Sequence, residues 1–318
     1  LTFAATGETV DAETLGGGKM HSSVSGVTDH LAEDDAHALA ITREIVSHLG
    51  EKALPRKTPI TPRPPAYPVE EIYGLVSRDP KVPTDNREIV ARLVDDSDFH
   101  EFKPLYGDTI MTGWGRIHGH EVGILANTGV LFVEAALKAT HFINLCVQRD
   151  IPLLFLADVN GFMVGREVEQ MGIAKAGAKM ITAMSSARVP KFTIITGGSY
   201  GAGYLAMLGR PFQPDAMFAW PTGRSAIMGP EQAASVLAQV RAQINEREGK
   251  KWTPEEEEAF KAPIRKDYED FQGAYNFASN LWIDSVIEPC ETRDVMALIL
   301  DLASRRPRVE THFGVFRM

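Results

Sequence analysis

Two neighbouring stretches decide the fold: IPLLFLADVNGFMVG (residues 151–165) and KFTIITGGSYGAG (residues 191–203). Each begins with a β-rich run, Ile151–Ala157 and Lys191–Thr196, that has the length of a buried strand. Glycines follow both runs, and Met171–Ala187 between them has helical spacing of apolar residues. Because a strand, a helix and another strand in this order need a crossover connection, the pattern predicts two parallel strands.

The same alternation continues on both sides of these stretches. We predict further strands at Met111–Ile117, Glu121–Asn127 and Ala216–Trp220, and helices at Glu134–Arg149, Gly201–Leu208 and Glu231–Glu246. His118-Gly119-His120 predicts a tight turn, and Thr253 with Glu256 predicts a capping box that starts another helix. The chain is therefore predicted to be an α/β protein with a mostly parallel sheet covered by helices.

A proline-rich segment predicts a domain boundary. Residues 55–68 contain six prolines, which exclude a regular helix or a central strand and indicate an extended linker. Residues 1–54, with a helix predicted at Asp29–Leu49, then belong to one domain and residues 69–318 to another. Because Leu1 is not an initiator and no signal peptide follows it, we expect the chain to begin inside a longer protein.

The composition excludes several classes of protein. The net charge of −9 argues against a protein whose main role is to bind nucleic acid or an anionic membrane. No apolar run approaches the roughly 20 residues needed to span a bilayer. Two cysteines, Cys146 and Cys290, cannot build a disulfide framework, so a reducing compartment is expected.

Three glycine-containing segments are the candidate functional sites: Asp158–Gly165, Gly197–Gly203 and Trp220–Ala234. Glycine after a parallel strand lets backbone N–H groups turn outward, and the first turn of a following helix adds partial positive charge. Such a place binds an anion, or an oxygen that becomes anionic during a reaction. Tight packing at a turn explains any one segment equally well, but three at one end of a sheet favour a ligand site.

The sequence contains few side chains that are good candidates for catalysis or metal binding. The sequence contains no nucleophile elbow, P-loop or zincin motif. His118 and His120 are predicted to be turn residues and not metal ligands, and Cys146 is predicted to be a core residue. Lys175 and Lys179 fit a phosphate contact and a solvated helix face about equally. A reaction that stabilises an oxyanion with backbone donors therefore remains the best interpretation.

Many ordered motifs resemble the carboxyltransferase subunits of biotin-dependent acyl-CoA carboxylases. The matching residues are Leu15–Gly18, His21, Ser25–Val27, Asp29-His30, Tyr67-Pro68, Ile72–Gly74, Asp85, Arg87–Ile89, Ala91-Arg92, Phe102-Lys103, Tyr106-Gly107, Ala126-Asn127, Leu131-Phe132, Gly161–Gly165, Gly172–Lys175, Gly177–Lys179, Met228-Gly229, Glu231–Ala234 and Phe313–Met318. The resemblance covers essentially the whole chain and is nearest to the methylcrotonyl-CoA and geranyl-CoA branch. Residues 157–160, 204–207 and 221–223 differ from that branch's usual residues, which leaves the acyl substrate open.

The resemblance implies a crotonase-like fold repeated in two domains, the first binding acyl-CoA and the second binding carboxybiotin. Residues 1–54 would be the end of the first domain, so this chain alone should not be a competent enzyme. The family pairs its subunits, stacks them into hexamers and works with a biotin carboxylase and biotin carboxyl carrier partner. The resemblance implies no bound metal, and a cytoplasmic location in bacteria or a mitochondrial-matrix location in eukaryotes.

The same resemblance assigns roles to site residues. The N–H groups of Gly201, Ala202 and Gly203 would stabilise the ureido oxygen of biotin, and biotin itself would act as the base. The pocket for the cofactor would be shaped by further residues: Gly161, Phe162, Val164, Gly165, Gly172, Gly198, Tyr200, Gly229 and Gln232. Three alternatives remain: a biotin-dependent decarboxylase subunit, an enoyl-CoA hydratase or isomerase using Glu167 and Glu169, and a non-catalytic module.

Overall fold

The computed structural model describes residues 2–49, 59–77, 79, 82–247, 252–307 and 309–316. The first four residues of the predicted linker and the last two of the chain therefore lie outside the described residues. The described residues contain nine strands: β1 His100–Glu101, β2 Ile110–Ile117, β3 His120–Asn127, β4 Gly129–Leu131, β5 Leu153–Phe162, β6 Lys191–Tyr200, β7 Ala216–Ala219, β8 Arg224–Ala226 and β9 Ser285–Val286.

Helices precede, separate and follow these strands, and those predicted at Glu134–Arg149, Met171–Ala187, Gly201–Leu208 and Glu231–Glu246 are present with slightly different bounds. Their bounds are α1 Thr2–Thr6, α2 Ala12–Gly16, α3 Gly18–Met20, α4 Asp35–Leu49, α5 Ile72–Leu75, α6 Asn86–Ala91, α7 Val133–Gln148, α8 Arg166–Gln170, α9 Ile173–Ser186, α10 Gly201–Ala206, α11 Pro230–Arg247, α12 Pro254–Phe271, α13 Ala274–Ser279 and α14 Thr292–Ser304. Within the described residues, no helix is both long and apolar enough to cross a membrane.

The strands form one sheet in the order β1-β2-β3-β5-β6-β7-β9. β1, β2 and β3 pair antiparallel, and every pairing from β3 onward is parallel. The turn between β2 and β3 has two residues, His118 and Gly119, both with positive φ, as a tight hairpin requires. The α/β class and the mostly parallel sheet are therefore confirmed.

Alternating residues of the central strands divide the core into two layers. Along β5, Leu153 and Phe155 pack on one face with α7, whose Cys146 is fully buried there. Leu154 and Leu156 pack on the opposite face, where Met296 of α14 contributes. This alternation follows from the two-residue period of a strand, and both faces are apolar because helices cover both.

Two strands run further than the sequence predicts. The runs ending at Ala157 and Thr196 were expected to stop before their glycines, but β5 continues to Phe162 and β6 to Tyr200. After a register shift between Ala157 and Val159, the extended ends gain new outer partners, β4 beside β5 and β8 beside β6. Tertiary pairing therefore overrides the local tendency of glycine to end a strand.

The amino-terminal segment contacts the main sheet through β1 and the residues that follow it. Lys103 Nζ donates to Gly26 O at 2.6 Å and lies 2.5 Å from Asp29 Oδ1, although Lys103 is almost fully buried. The predicted helix at Asp29–Leu49 begins later, at Asp35, because the side chain of Asp34 accepts the N–H of His37 at 2.7 Å.

Candidate functional site

Two glycines meet where the end of β5 approaches the start of α10. A Cβ added to Gly203 would lie 2.9 Å from Gly161 Cα and 2.5 Å from Val159 Cγ2. Any side chain at position 203 would therefore push α10 away from β5. Gly203 is buried, whereas Ala202 beside it is exposed. The fold thus brings the predicted residues Gly161 and Gly203 into direct contact and leaves the edge at Ala202 open.

The backbone at Gly201 makes the abrupt change from strand to helix. Its φ is +53°, which side-chain-bearing residues rarely adopt, and an added Cβ would lie 2.9 Å from Ile227 O. The first N–H groups of a helix have no acceptor within it. Gly201, Ala202 and Gly203 therefore present backbone donors at the carboxyl end of the sheet.

A small cavity of about 40 Å³ lies beside this turn. It is lined by Val76, Ser77, Asp79, Val82, Thr84, Asn86, Ile89, Asp158, Asn160, Thr196, Gly197, Gly198, Tyr200, Trp220, Thr222 and Arg224. We call it the Asp158 cavity. It holds only a few water molecules, far below the ~300–1,000 Å³ that a small-molecule site usually occupies.

Asp158 is one of three charged residues that line this cavity, with Asp79 and Arg224. Its Oδ1 accepts the N–H of Gly198 at 2.7 Å, and its backbone is held by both side-chain atoms of Asn127, at 3.1 and 3.3 Å. Burial raises the pKa of the Asp158 carboxyl, while the Gly198 N–H and the nearby Arg224 guanidinium oppose that rise. The carboxyl is thus easier to protonate than a solvent-exposed one.

Tyr200 and Arg224 of β8 also line the Asp158 cavity. The Tyr200 hydroxyl donates to Gln272 Oε1 at 2.7 Å, and burial raises the pKa of this hydroxyl. Ser225 Oγ donates to Ser199 O at 2.6 Å, which fixes β8 against β6. The residue after α12, Gln272, is therefore linked to the candidate site.

The other predicted site residues lie in different surroundings. The Phe162 ring packs 3.2 Å from the position of a Cβ on Gly177, so it anchors β5 to α9. Val164 and Gly165 are exposed in the loop before α8, and Gly172 caps the start of α9 with a φ of +88°. Gly229 precedes α11 next to the exposed Gln232. Of the predicted set, Gly198 and Tyr200 line the Asp158 cavity.

The side chains singled out for other kinds of chemistry lie away from the Asp158 cavity. Glu167 and Glu169 are exposed on the short helix α8 and do not line the Asp158 cavity. His118 lies in the hairpin turn and faces Asp294 Oδ1 at 3.2 Å. Sequence reasoning missed Asn127 and Gln272 as neighbours of the site. Asn127 ends a predicted strand and belongs to a motif that carries the family resemblance, but neither signal assigned it a role at the site, and Gln272 offered no signal.

A family model, curated sequences and solved structures all show similarity to this chain. The family model described as the carboxyl transferase domain matches residues 2–316. A Mycobacterium tuberculosis protein, the biotin-dependent 3-methylcrotonyl-coenzyme A carboxylase beta1 subunit, is 53% identical over 318 residues, which is all of this chain and 60% of that protein.

Two solved structures extend the similarity. The beta subunit of geranyl-CoA carboxylase from P. aeruginosa matches with a TM-score of 0.73 and 41% identity, covering 98% of this chain and 59% of that one. The transcarboxylase 12S hexamer, solved with hydrolysed methylmalonyl-coenzyme A bound, matches with a TM-score of 0.87 and 34% identity, covering 100% and 61%. The chain thus spans about three-fifths of the length of these relatives.

Proposed function

The chain belongs to the carboxyl transferase family, and from that premise we propose that it contributes to carboxyl transfer from carboxybiotin to an acyl-CoA. The acyl-CoA is 3-methylcrotonyl-CoA or a similar branched, unsaturated thioester, because the 53% identical relative is named for 3-methylcrotonyl-coenzyme A. The protein that contains this chain would work with a biotin-carrying partner subunit. The transcarboxylase relative is described as a hexamer, which supports a symmetric assembly of subunits for the protein that contains this chain.

The observation that carries the proposal is the open first turn of α10. Gly201, Ala202 and Gly203 offer backbone N–H groups, and Ala202 faces solvent. Donors held in place before the reaction stabilise an oxygen that gains negative charge, and losing one typically costs about 2.7–4 kcal/mol of barrier stabilisation. Carboxybiotin, the substrate carried by the partner, supplies both the carboxyl group and the nitrogen that then takes the proton from the acyl-CoA.

The chain's own residues would therefore bind and orient the reactants. The absence of a side chain at Gly203 permits the close approach of α10 to β5, and this approach fixes the direction of the N–H groups. The Asp158 cavity is too small for biotin, so we propose that the ligand lies outside it against the edge at Ala202. A second subunit would complete the site, as the resemblance to paired subunits implies.

The test uses the full-length protein that carries this chain, assembled with its biotin-carrying partner. We expect ATP- and bicarbonate-dependent carboxylation of one of 3-methylcrotonyl-CoA, geranyl-CoA and propionyl-CoA. Ala202→Val should lower kcat at least about tenfold because its branched side chain covers the donors. Ala242→Val, the same change on an exposed alanine of α11, is the matched control and should leave turnover unchanged.

Two results would contradict the proposal. If the assembled, biotin-loaded complex carboxylates none of the three thioesters but decarboxylates a carboxylated acyl-CoA, the decarboxylase alternative is correct. If Ala202→Val assembles normally and retains full turnover, the first turn of α10 is not the oxyanion site. Gly203 is a poorer test position because a side chain there would disturb packing against Val159.

A further inference from the structure

Three potential metal ligands from distant parts of the sequence meet where α4 contacts β1. Glu44 and His48 are four residues apart on α4, so they lie on the same face of the helix one turn apart. His100 comes from β1 and is 5% exposed. One ligand atom from each of the three residues lies within 4.8 Å of the other two. We call these residues the α4–β1 cluster.

The hydrogen bonds of the cluster are incomplete. Glu44 Oε1 lies 2.6 Å from His100 Nδ1, so one pair is satisfied. His48 Nδ1, in contrast, is buried and has no hydrogen-bond partner among the residues that the structure describes. Burying a polar nitrogen without a partner destabilises the folded state. A metal ion that accepts the lone pair of this nitrogen would remove that penalty.

We propose that Glu44, His48 and His100 bind one divalent transition-metal ion of the zinc class. Two imidazole nitrogens and one carboxylate oxygen are a ligand set that zinc accepts in tetrahedral geometry, with a fourth position for water or another side chain. Magnesium and calcium prefer oxygen ligands throughout, so two histidines argue against them. The His30 ring, whose centroid is 5.3 Å from that of His100, is one candidate for the fourth position.

The surrounding charges allow a cation at this place. The charge of the buried Lys103, which acts on His30, is compensated by Asp29 at 2.5 Å. The Arg149 guanidinium lies over the Trp114 ring at 5.4 Å, and that ring also stacks on His48 and His100. The carboxylate of Glu44 brings a full negative charge to the ion.

The metal would join two parts of the chain that the sequence assigns to different domains. α4 belongs to residues 1–54, and β1 belongs to residues 69–318. Metal bonds between them would fix the orientation of α4 on the edge of the sheet, because the ion binds the folded arrangement and not the unfolded chain. The site is structural and independent of the proposed oxyanion site at α10.

The sequence alone predicts no bound metal, and the reason is the spacing of the ligands. Glu44 and His48 have a helical ligand spacing, but His100 follows only after 52 further positions and an intervening proline-rich segment. A motif search has no means of joining these residues. The fold provides that link.

The experiment measures metal binding by the full-length protein that carries this chain, after removal of metal with a chelator. Zinc is added, excess is removed by desalting, and bound zinc per chain is measured by mass spectrometry. Cobalt(II) is then used as a spectroscopic probe, since tetrahedral nitrogen and oxygen ligands give intense visible bands. We expect the affinity for zinc to fall at least about tenfold in His48→Gln and in His100→Gln.

His312→Gln is the matched control, because its side chain is 80% exposed and distant in sequence from the α4–β1 cluster. It should bind zinc and cobalt as the parent does. Glu44→Ala is a second test that remains valid if the histidine variants misfold. Glu44 is 43% exposed, so its replacement should leave the circular dichroism spectrum unchanged. Absence of zinc binding by the parent, or unchanged binding in a folded Glu44→Ala variant, would show that the cluster is only a hydrogen-bonded pair.

Discussion

At the scale of single residues, the candidate site depends on glycines that make room for a neighbour. Gly197 lies in β6 directly opposite the Asp158 side chain, and a Cβ there would overlap Asp158 Oδ1. Gly203 makes room for β5 in the same way. These glycines were predicted to turn the backbone after a strand. In the structure Gly197 instead belongs to a strand and accommodates a buried carboxyl.

Gly197→Ala should therefore destabilise the protein. The added methyl group must displace the Asp158 carboxyl, which is hydrogen-bonded to Gly198, and overpacking of this kind costs about 1–3 kcal/mol. Urea denaturation followed by circular dichroism measures the change. Gly74→Ala in α5 is the control, since its Cβ would meet nothing within 4 Å and it should be neutral or slightly stabilising. Equal stability of the two variants would contradict the steric argument.

At the scale of elements, the start of α12 is set by local sequence. Thr253 accepts the N–H of Glu256 at 3.3 Å, and Glu256 Oε2 accepts the N–H of Thr253 at 2.9 Å. The predicted capping box is thus confirmed, because its donors and acceptors all lie within four residues. The ends of β5 and β6 were predicted less well, since strands β4 and β8 extend them and lie elsewhere in the sequence.

Thr253→Ala should lower the free energy of unfolding by about 0.5–2 kcal/mol, because one N–H group at the start of α12 loses its acceptor. Hydrogen exchange of the Glu255–Glu257 amides should become faster as the first turn frays. Thr253→Ser retains the hydroxyl and is the matched control. If exchange in the alanine variant equals that in the serine variant, the capping box does not stabilise the helix.

At the scale of the whole molecule, a buried charge makes stability depend on pH. Lys138 of α7 is 1% exposed, and its Nζ has no hydrogen-bond partner among the described residues. Burial lowers its pKa from 10.5 to about 8, partly opposed by the nearby Glu101 carboxylate. Near neutral pH the folded protein therefore bears the cost of a buried ammonium group, a difference of about 3 kcal/mol between folded and unfolded states.

Lys138→Met should stabilise the protein by about 1–3 kcal/mol near pH 7. Below its folded pKa of about 8, Lys138 is protonated in both states. As the pH rises toward 10.5 the folded state releases its proton first, so the parent gains stability and the advantage of the variant disappears. Urea denaturation at about pH 7 and about pH 10 measures this. Lys266→Met, at an exposed position, should show no such dependence, and an advantage that persists at high pH would contradict the explanation.

The sequence by itself determined the α/β class, the central strands with the helices between them, the hairpin turn at His118-Gly119, the capping box and membership of the family. Each of these depends on residues close in the chain or on motifs in a fixed order. It also indicated Gly161 and Gly201–Gly203 as candidates, and their catalytic role remains a proposal.

Only the tertiary structure decided which of these residues meet. The contact of Gly203 with Gly161, the cavity around Asp158 and the grouping of Glu44, His48 and His100 all join segments separated by tens of residues. Such contacts depend on strand register and helix packing, which no local pattern encodes. They exist because burial of both faces of the sheet holds distant segments together.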